Sequence, residues 1–138
     1  MLTLLALLTL GAVPSDPVAD AKPGLIAFGW REREGFHPDV VMRWQGEGEG
    51  EWSGRDAVLG YLESRAHGIC PCLVRPSAEA SGEIIVVRAT LVHDTLPLVE
   101  GCLEAPATVT LRRDDRGAWR LARIDIGEAY RTGRFCEA

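Results

Sequence analysis

The chain has 138 residues, of which 46% are hydrophobic and 25% are charged, and its formal net charge is −5 at pH 7. This length holds one domain, and the apolar fraction is that of a globular protein, which excludes a disordered chain. The acidic balance argues against nucleic acid as a partner, because nucleic-acid binders usually present a basic face.

The first 21 residues differ from the rest of the chain. Residues 1–13 carry no charged side chain and would place leucine on every side of a helix, whereas a core helix has a polar face. This run is too short to span a bilayer, which takes roughly 20 residues. It is followed by a polar stretch with prolines and then by the small residues Ala19 and Ala21, which is typical of a secretory signal peptide, although no basic residue precedes Lys22.

We therefore expect residues 1–21 to be a signal peptide that is cleaved after Ala21, and residues 22–138 to form a single domain. The protein would then be secreted or periplasmic, with no membrane contact once the signal is removed. A first helix buried in the core and an uncleaved anchor are the alternatives.

The next elements are short. Residues 25–36 predict a helix that ends at Gly35 and a Phe-His-Pro-Asp turn, and residues 40–44 are β-branched and apolar enough for a strand. The Gly–Glu alternation at 46–51 has no apolar side chain and predicts a solvated loop. Residues 54–67 repeat apolar positions at helical spacing behind Ser53, a candidate cap, and give the clearest helix.

The second half of the chain predicts β structure. Residues 72–79 form a strand in which Pro76 indicates an edge or a bulge, and residues 83–93 are rich in branched side chains. Residues 103–113 and 118–126 follow, joined by a hairpin turn at 114–117. Helices that are segregated from a contiguous antiparallel sheet define the α+β class.

Four cysteines, Cys70, Cys72, Cys102 and Cys136, are enough for two disulfide bonds in an oxidising compartment. Cys70 and Cys72 are poor partners for each other, because a bridge two residues apart distorts the required geometry. We expect each to pair with Cys102 or Cys136, which would tie the C-terminal tail to the middle of the chain. Free buried thiols are the main alternative. The Cys-Pro-Cys spacing suits neither a zinc site nor a redox dithiol.

Three segments resemble the nuclear transport factor 2-like superfamily, which includes SnoaL-like polyketide cyclases and ketosteroid isomerases. They are FHPDVV at 36–41, WSGRDAV at 52–58 and GAWRLARID at 117–125, and the resemblance covers roughly residues 25–128. It implies a curved antiparallel sheet of four to six strands, wrapped around two or three N-terminal helices into a cone with a pocket at its open end. The short first helix and the cysteines depart from the family pattern.

Enzymes of this fold carry an Asp, Tyr or His in the pocket and work by proton transfer, which the resemblance implies for two residues here. Strand alternation places Asp125 on one face with Leu121 and Arg123, so Asp125 is either a pocket base or an ion pair at a strand end. His93 ends the long strand and is either a base or a solvated residue.

Four further residues are candidates for ligand binding. Arg88 is the one charge in an apolar strand and either faces solvent or binds an anion from within. Trp44 and Trp52 flank the Gly–Glu loop and either roof a pocket or pack at an edge. Tyr61 lies on the apolar face of the best helix, where a core role competes with a catalytic hydroxyl.

The sequence holds no recognisable nucleophile motif, phosphate-binding loop or zinc pair. We expect an exported domain that binds a small apolar or amphipathic ligand in its cone pocket, with no cofactor and no metal. One alternative is a small isomerase, cyclase or hydrolase of the same fold that uses Asp125 or His93 as base. The other is a protein-interaction module with a filled cone, which forms a homodimer through the sheet face.

Overall fold

The computed structural model describes residues 16–46, 49–65, 72–93 and 103–131. In this part of the chain there are two α-helices, a 3₁₀ turn and seven strands: α1 (Pro17–Trp30), the turn (Arg33–Gly35), β1 (Phe36–Trp44), β2 (Gly50–Ser53), α2 (Arg55–Arg65), β3 (Cys72–Ser81), β4 (Ile84–His93), β5 (Leu103–Arg113), β6 (Trp119–Ile126) and β7 (Tyr130–Arg131).

Six strands form one sheet in the order β2-β1-β6-β5-β4-β3, and the short β7 pairs with the start of β5. Every neighbouring pair is antiparallel except β1 and β6, which run parallel. The α+β class and a sheet of six strands packed against α1 are confirmed. The parallel pair was not predicted, because β1 and β6 are distant in sequence and nothing local in either strand sets its partner.

Helix α1 differs from the predicted helix at 25–36. It begins at Pro17, where the Asp16 carboxylate accepts a hydrogen bond from the Val18 amide at 3.0 Å. Proline suits this first position, since its missing N–H would have no partner there. The helix ends at Trp30 because Arg31 adopts the left-handed conformation with φ 56°. The predicted boundaries were therefore too late at both ends.

Helix α1 already contributes to the core at Ala21. Ala21 is fully buried, and the cleavage predicted after it would fall inside this helix. Residues 1–15 lie outside the described residues, and the signal peptide remains a prediction. No described helix is both long and apolar enough to cross a membrane.

The buried stripe of α1 lies close against the sheet. Phe28 is fully buried, and Gly24 faces β5 and β6, where a Cβ atom would lie 2.5 Å from Leu111 Cδ2. The missing side chain of Gly24 lets the helix backbone approach the sheet. The core between helix and strands is completed by residues from β1, α2 and the central strands: Val40, Met42, Val58, Leu62, Ile85, Val87, Val109, Leu111, Leu121 and Ile124.

Other predicted elements need smaller corrections. Strand β1 begins at Phe36 rather than Val40, and Gly50 and Glu51 of the predicted loop form the start of β2. Both changes have the same cause, since β1 gains partners on two sides, β2 and β6. Helix α2 lies within the predicted 54–67, and the hairpin between β5 and β6 is confirmed.

Cys72 is the first residue of β3 and is disulfide-bonded. Cys70, Cys102 and Cys136 lie outside the described residues, so the predicted pairing of the four cysteines remains a prediction.

Candidate functional site

An apolar cavity of about 440 Å³ lies between α1 and the first half of β3. We call it the α1–β3 pocket. Among the described residues its lining is apolar apart from one cation, the Lys22 ammonium group. The lining residues are Val18, Lys22, Leu25, Ile26, Gly29, Trp30, Cys72, Leu73 and Pro76.

Helix α1 supplies one wall of the pocket. Its lining residues recur at helical spacing, four residues apart from Val18 through Lys22 to Ile26 and Trp30, and so form a stripe beside the buried one. Ile26 is 46% exposed and Trp30 is 71% exposed, which is unusual for side chains of this size. The helix therefore presents apolar surface on two faces, of which one is covered by the sheet and the other borders the pocket.

The edge strand β3 supplies the opposite wall. In a regular strand Leu73 and Pro76 would point to opposite faces, because side chains alternate. The pairing of β3 with β4 shifts register between Val74 and Ser77, where Arg75 has φ 53°. This bulge, which Pro76 predicted, brings Leu73 and Pro76 to the same cavity.

The three aromatic residues predicted to bind ligand lie elsewhere and contact one another. The Tyr61 ring stacks on Trp52 with centroids 3.7 Å apart and meets Trp44 edge to face at 5.5 Å. Trp44 is buried in the core, and none of the three lines the α1–β3 pocket. The structure thus brings Trp44, Trp52 and Tyr61 together as a packed cluster that joins α2 to β1 and β2.

Asp125 lies on the outer face of the sheet together with Arg123, whereas Leu121, which strand alternation placed on the same face, is buried in the core. Leu121 pairs with Leu111 while Arg123 pairs with Thr110, so β6 contains one extra residue, Ala122, at a bulge. The extra residue reverses the alternation, so that Leu121 points to the core and Asp125 does not. A one-residue register change always exchanges the two faces in this way.

On that outer face Asp125 forms an ion pair with Arg123, whose Nε donates to the carboxylate at 2.9 Å. The hydrogen bond and charge of Asp125 raise the pKa of Arg123. Both side chains are substantially exposed, at 50% and 37% for Arg123 and Asp125. This is the environment of a surface ion pair, which was one of the two alternatives for Asp125.

Arg88 is exposed on the same outer face, because both it and Asp125 pair with Thr108 in the strand ladder. It does not line the α1–β3 pocket. His93 is the last residue of β4, and its side chain lies outside the described part of the chain.

Val18 and Lys22, two of the six lining residues on α1, were missed because the helix was predicted to begin at residue 25. One signal for a longer helix was present in the sequence. Lys22, the only lysine in the chain, lies four residues after Val18 and four residues before Ile26, which is the spacing of one helix face. Among the described residues no group of His, Cys, Asp and Glu side chains is arranged to hold a metal ion.

No protein-family model matches the chain, and no curated protein matches it. Solved structures do. A proposed aromatic ring hydroxylase of Novosphingobium aromaticivorans superposes with a TM-score of 0.64 at 14% identity, over 86% of this chain and 96% of that one. A proposed ketosteroid isomerase of Parabacteroides distasonis superposes with a TM-score of 0.54 at 16% identity, over 91% of this chain and 84% of that one.

A third structure is an NTF2-like protein with a cystatin-like fold, also from Novosphingobium aromaticivorans. It superposes with a TM-score of 0.58 at 19% identity, over 81% of this chain and 73% of that one. At these identities the likeness concerns the fold alone. Together with the sheet order and the position of α1, it shows that this chain has the nuclear transport factor 2-like fold.

Proposed function

We propose that this protein is an exported binding protein for a small amphipathic molecule, held in the α1–β3 pocket. The observation that carries the proposal is the exposure of Ile26 and Trp30 around an apolar cavity with a single charged group. Exposing two large apolar side chains costs free energy that a bound apolar ligand would recover, at about 25 cal/mol for each Å² removed from water.

The size of the pocket limits the ligand. Small-molecule sites commonly measure roughly 300–1,000 Å³, and the volume of about 440 Å³ lies in the lower part of that range. It is also about three times the roughly 150 Å³ of an engineered apolar cavity that binds benzene. A ligand of two or three rings, or a medium-length alkyl chain, fits this space.

Lys22 selects the polar end of the ligand. It is the one charged residue in the lining, and no ion pair joins it to a carboxylate in the described part of the chain. An ammonium group at the border of an apolar cavity attracts an anionic group. Because the anion would stay partly in contact with water there, it would keep part of its hydration when it binds. We therefore propose a carboxylate or similar anion attached to an apolar body.

The names of two structural neighbours support this ligand class without specifying a reaction. An aromatic ring hydroxylase and a ketosteroid isomerase are both named for compounds with apolar rings. Catalysis forms no part of the proposal, because Asp125, the predicted base, is in an ion pair on the outer face.

The test uses naphthalene-2-carboxylate and its neutral amide, which match in shape and differ in charge. Binding is followed by the quenching of tryptophan fluorescence, since Trp30 borders the pocket. Ile26→Glu should abolish binding by placing a carboxylate in the apolar wall. Ile84→Glu is the matched control, because Ile84 is also an exposed isoleucine, at 38%, but does not line the pocket.

The charge preference has its own control. Lys22→Gln should weaken binding of the carboxylate on the order of 10-fold and leave the amide unchanged, as expected for the loss of one charge-assisted contact. Arg88→Gln removes an exposed cation from the outer face and should change neither. Equal binding by the Ile26→Glu and Ile84→Glu variants would contradict the proposed site.

Export is proposed with a revised boundary. Because Ala21 is buried and Val18 lines the pocket, we place the end of the leader ahead of Asp16, the residue that caps α1. The disulfide framework and a homodimer through the outer sheet face remain proposals, the second tested by the concentration dependence of the sedimentation coefficient.

A further inference from the structure

A second cavity, of about 500 Å³, is lined by four arginines: Arg55, Arg112, Arg113 and Arg120. We call it the arginine cavity. Arg55 is the first residue of α2, Arg112 and Arg113 end β5, and Arg120 lies at the start of β6. The start of β1 completes the wall with His37 and Pro38. None of these residues lines the α1–β3 pocket.

Only one of the four arginines is neutralised at close range. Arg120 donates from Nε to Asp114 at 2.5 Å and from a terminal nitrogen to the Glu34 carbonyl oxygen. The strength of this pair is evident in Asp114, whose pKa falls from 3.8 to about 2, chiefly through the hydrogen bond from Arg120. Asp114 is therefore committed to Arg120 and does not compete for the other guanidinium groups.

The remaining three arginines have no carboxylate within ion-pair distance among the described residues. Arg113 lies over the Trp119 ring at 4.7 Å, which holds its position and leaves its charge uncompensated. The other acidic residues of the lining are Asp115 and Glu34, whose carboxylate lies 3.9 Å from Arg120, so the lining holds four arginines and three carboxylates. The cavity is thus locally positive in an acidic chain.

Arg55 carries a separate sign of a missing partner. Its Nε is buried and has no hydrogen-bond acceptor, and it is the only such side-chain atom found in the described residues. A terminal nitrogen of Arg55 donates to the Phe36 carbonyl oxygen over a long 3.4 Å. Buried donors in native proteins are nearly always satisfied, so Arg55, a residue of the cavity lining, carries an N–H for which the described residues supply no acceptor.

His37 lies beside the arginines in the lining of the cavity. Its Nδ1 accepts a hydrogen bond from the Asp39 amide at 3.0 Å, which orients the ring at the start of β1.

We propose that the arginine cavity binds a phosphate group, either as inorganic phosphate or as the phosphate monoester of a small molecule. A doubly charged oxyanion matches three uncompensated guanidinium groups better than a single carboxylate does. Its oxygens would accept from the guanidinium groups of Arg55, Arg112 and Arg113, which line the cavity. The volume of about 500 Å³ leaves room for an organic part on the phosphate.

The test titrates the full chain with inorganic phosphate and with glycerol phosphate by calorimetry, at a constant ionic strength set with chloride. The expected result is saturable binding that Arg112→Gln and Arg55→Gln each weaken by on the order of 10-fold. Arg88→Gln is the matched control and should bind as the unaltered protein does. Arg55→Lys should also lose affinity, since lysine keeps the charge and lacks the paired donors of a guanidinium group.

The outcomes decide whether the arginine cavity binds phosphate and in which form. Tighter binding of glycerol phosphate than of inorganic phosphate, lost in Arg112→Gln, assigns the site to a phosphate ester, and the reverse order assigns it to the free ion. No saturation by either compound, or an equal loss in Arg88→Gln, overturns the proposal. If Arg55→Gln fails to fold, Arg112→Gln carries the test, because Arg112 is exposed.

Discussion

The revised start of the folded domain makes a sharp prediction. A chain that begins at Lys22, as cleavage after Ala21 would produce, lacks the first turns of α1. It loses the cap that Asp16 forms with the Val18 amide, worth about 1 kcal/mol. It also loses the fully buried Ala21 methyl group, worth about 0.8 kcal/mol.

A chain that begins at Asp16 should therefore be more stable than one that begins at Lys22, by about 2 kcal/mol in the free energy of unfolding. Urea denaturation followed by circular dichroism measures this difference as a shift of the midpoint. Asp16→Ala in the longer chain isolates the cap and should account for about half of the shift.

One feature of the sequence opposes this expectation. Pro23 lies inside α1, where a proline removes a backbone hydrogen bond, yet it would suit the first turn of a helix that began at Lys22. Equal urea midpoints for the two chains would refute our reasoning and restore the boundary after Ala21. The intact mass of the exported protein gives an independent answer, because the two cleavage positions yield different masses.

The remaining predictions concern packing, pH and the cysteines. Gly35→Ala should destabilise the fold by roughly 1–3 kcal/mol, because the new Cβ would overlap the Cβ of Ala27. Gly60→Ala, which has open space around the new Cβ, should stabilise α2 by up to about 1 kcal/mol. Thermal unfolding of the two variants measures both effects. Because the pKa of Asp114 is lowered, its contribution to stability is complete above pH 3.8 and is lost as the pH falls through about 2. Asp114→Asn should therefore be less stable at neutral pH and should lose less stability than the unaltered protein between about pH 4 and pH 2. An unchanged pH profile of stability in this variant would exclude the Asp114–Arg120 pair as the cause. Alkylation of the unreduced exported protein should modify none of the four cysteines, and four modified thiols by intact mass would contradict the disulfide proposal.

Local patterns predicted those parts of the fold that depend on neighbouring residues. The hairpin between β5 and β6 follows from a turn in which the Asp114 carboxylate accepts from the Arg116 and Ala118 amides and Gly117 takes φ 81°. The bulge at Pro76 is of the same kind, since a proline cannot donate to the ladder. The short family segments then led to the correct sheet-and-helix architecture.

The candidate site could not be predicted in the same way. Leu121 was grouped on one face with Arg123 and Asp125 because the bulge at Ala122 has no proline or glycine to mark it in the sequence. Trp44, Trp52 and Tyr61 were expected around a ligand and instead fill space between α2 and two strands. In each case the outcome depends on how two elements pack or pair with each other, which the pattern within either element does not contain.

The sequence by itself determined the α+β class, most strand positions, the better helix and the fold family that the segments resemble, because these rest on periodicity, turn chemistry and short motifs. Tertiary structure alone decided where α1 begins, which face Asp125 occupies, and that Arg55, Arg112 and Arg113 meet in one cavity. Burial and charge pairing are sums over contacts between distant segments. No window of the sequence contains them.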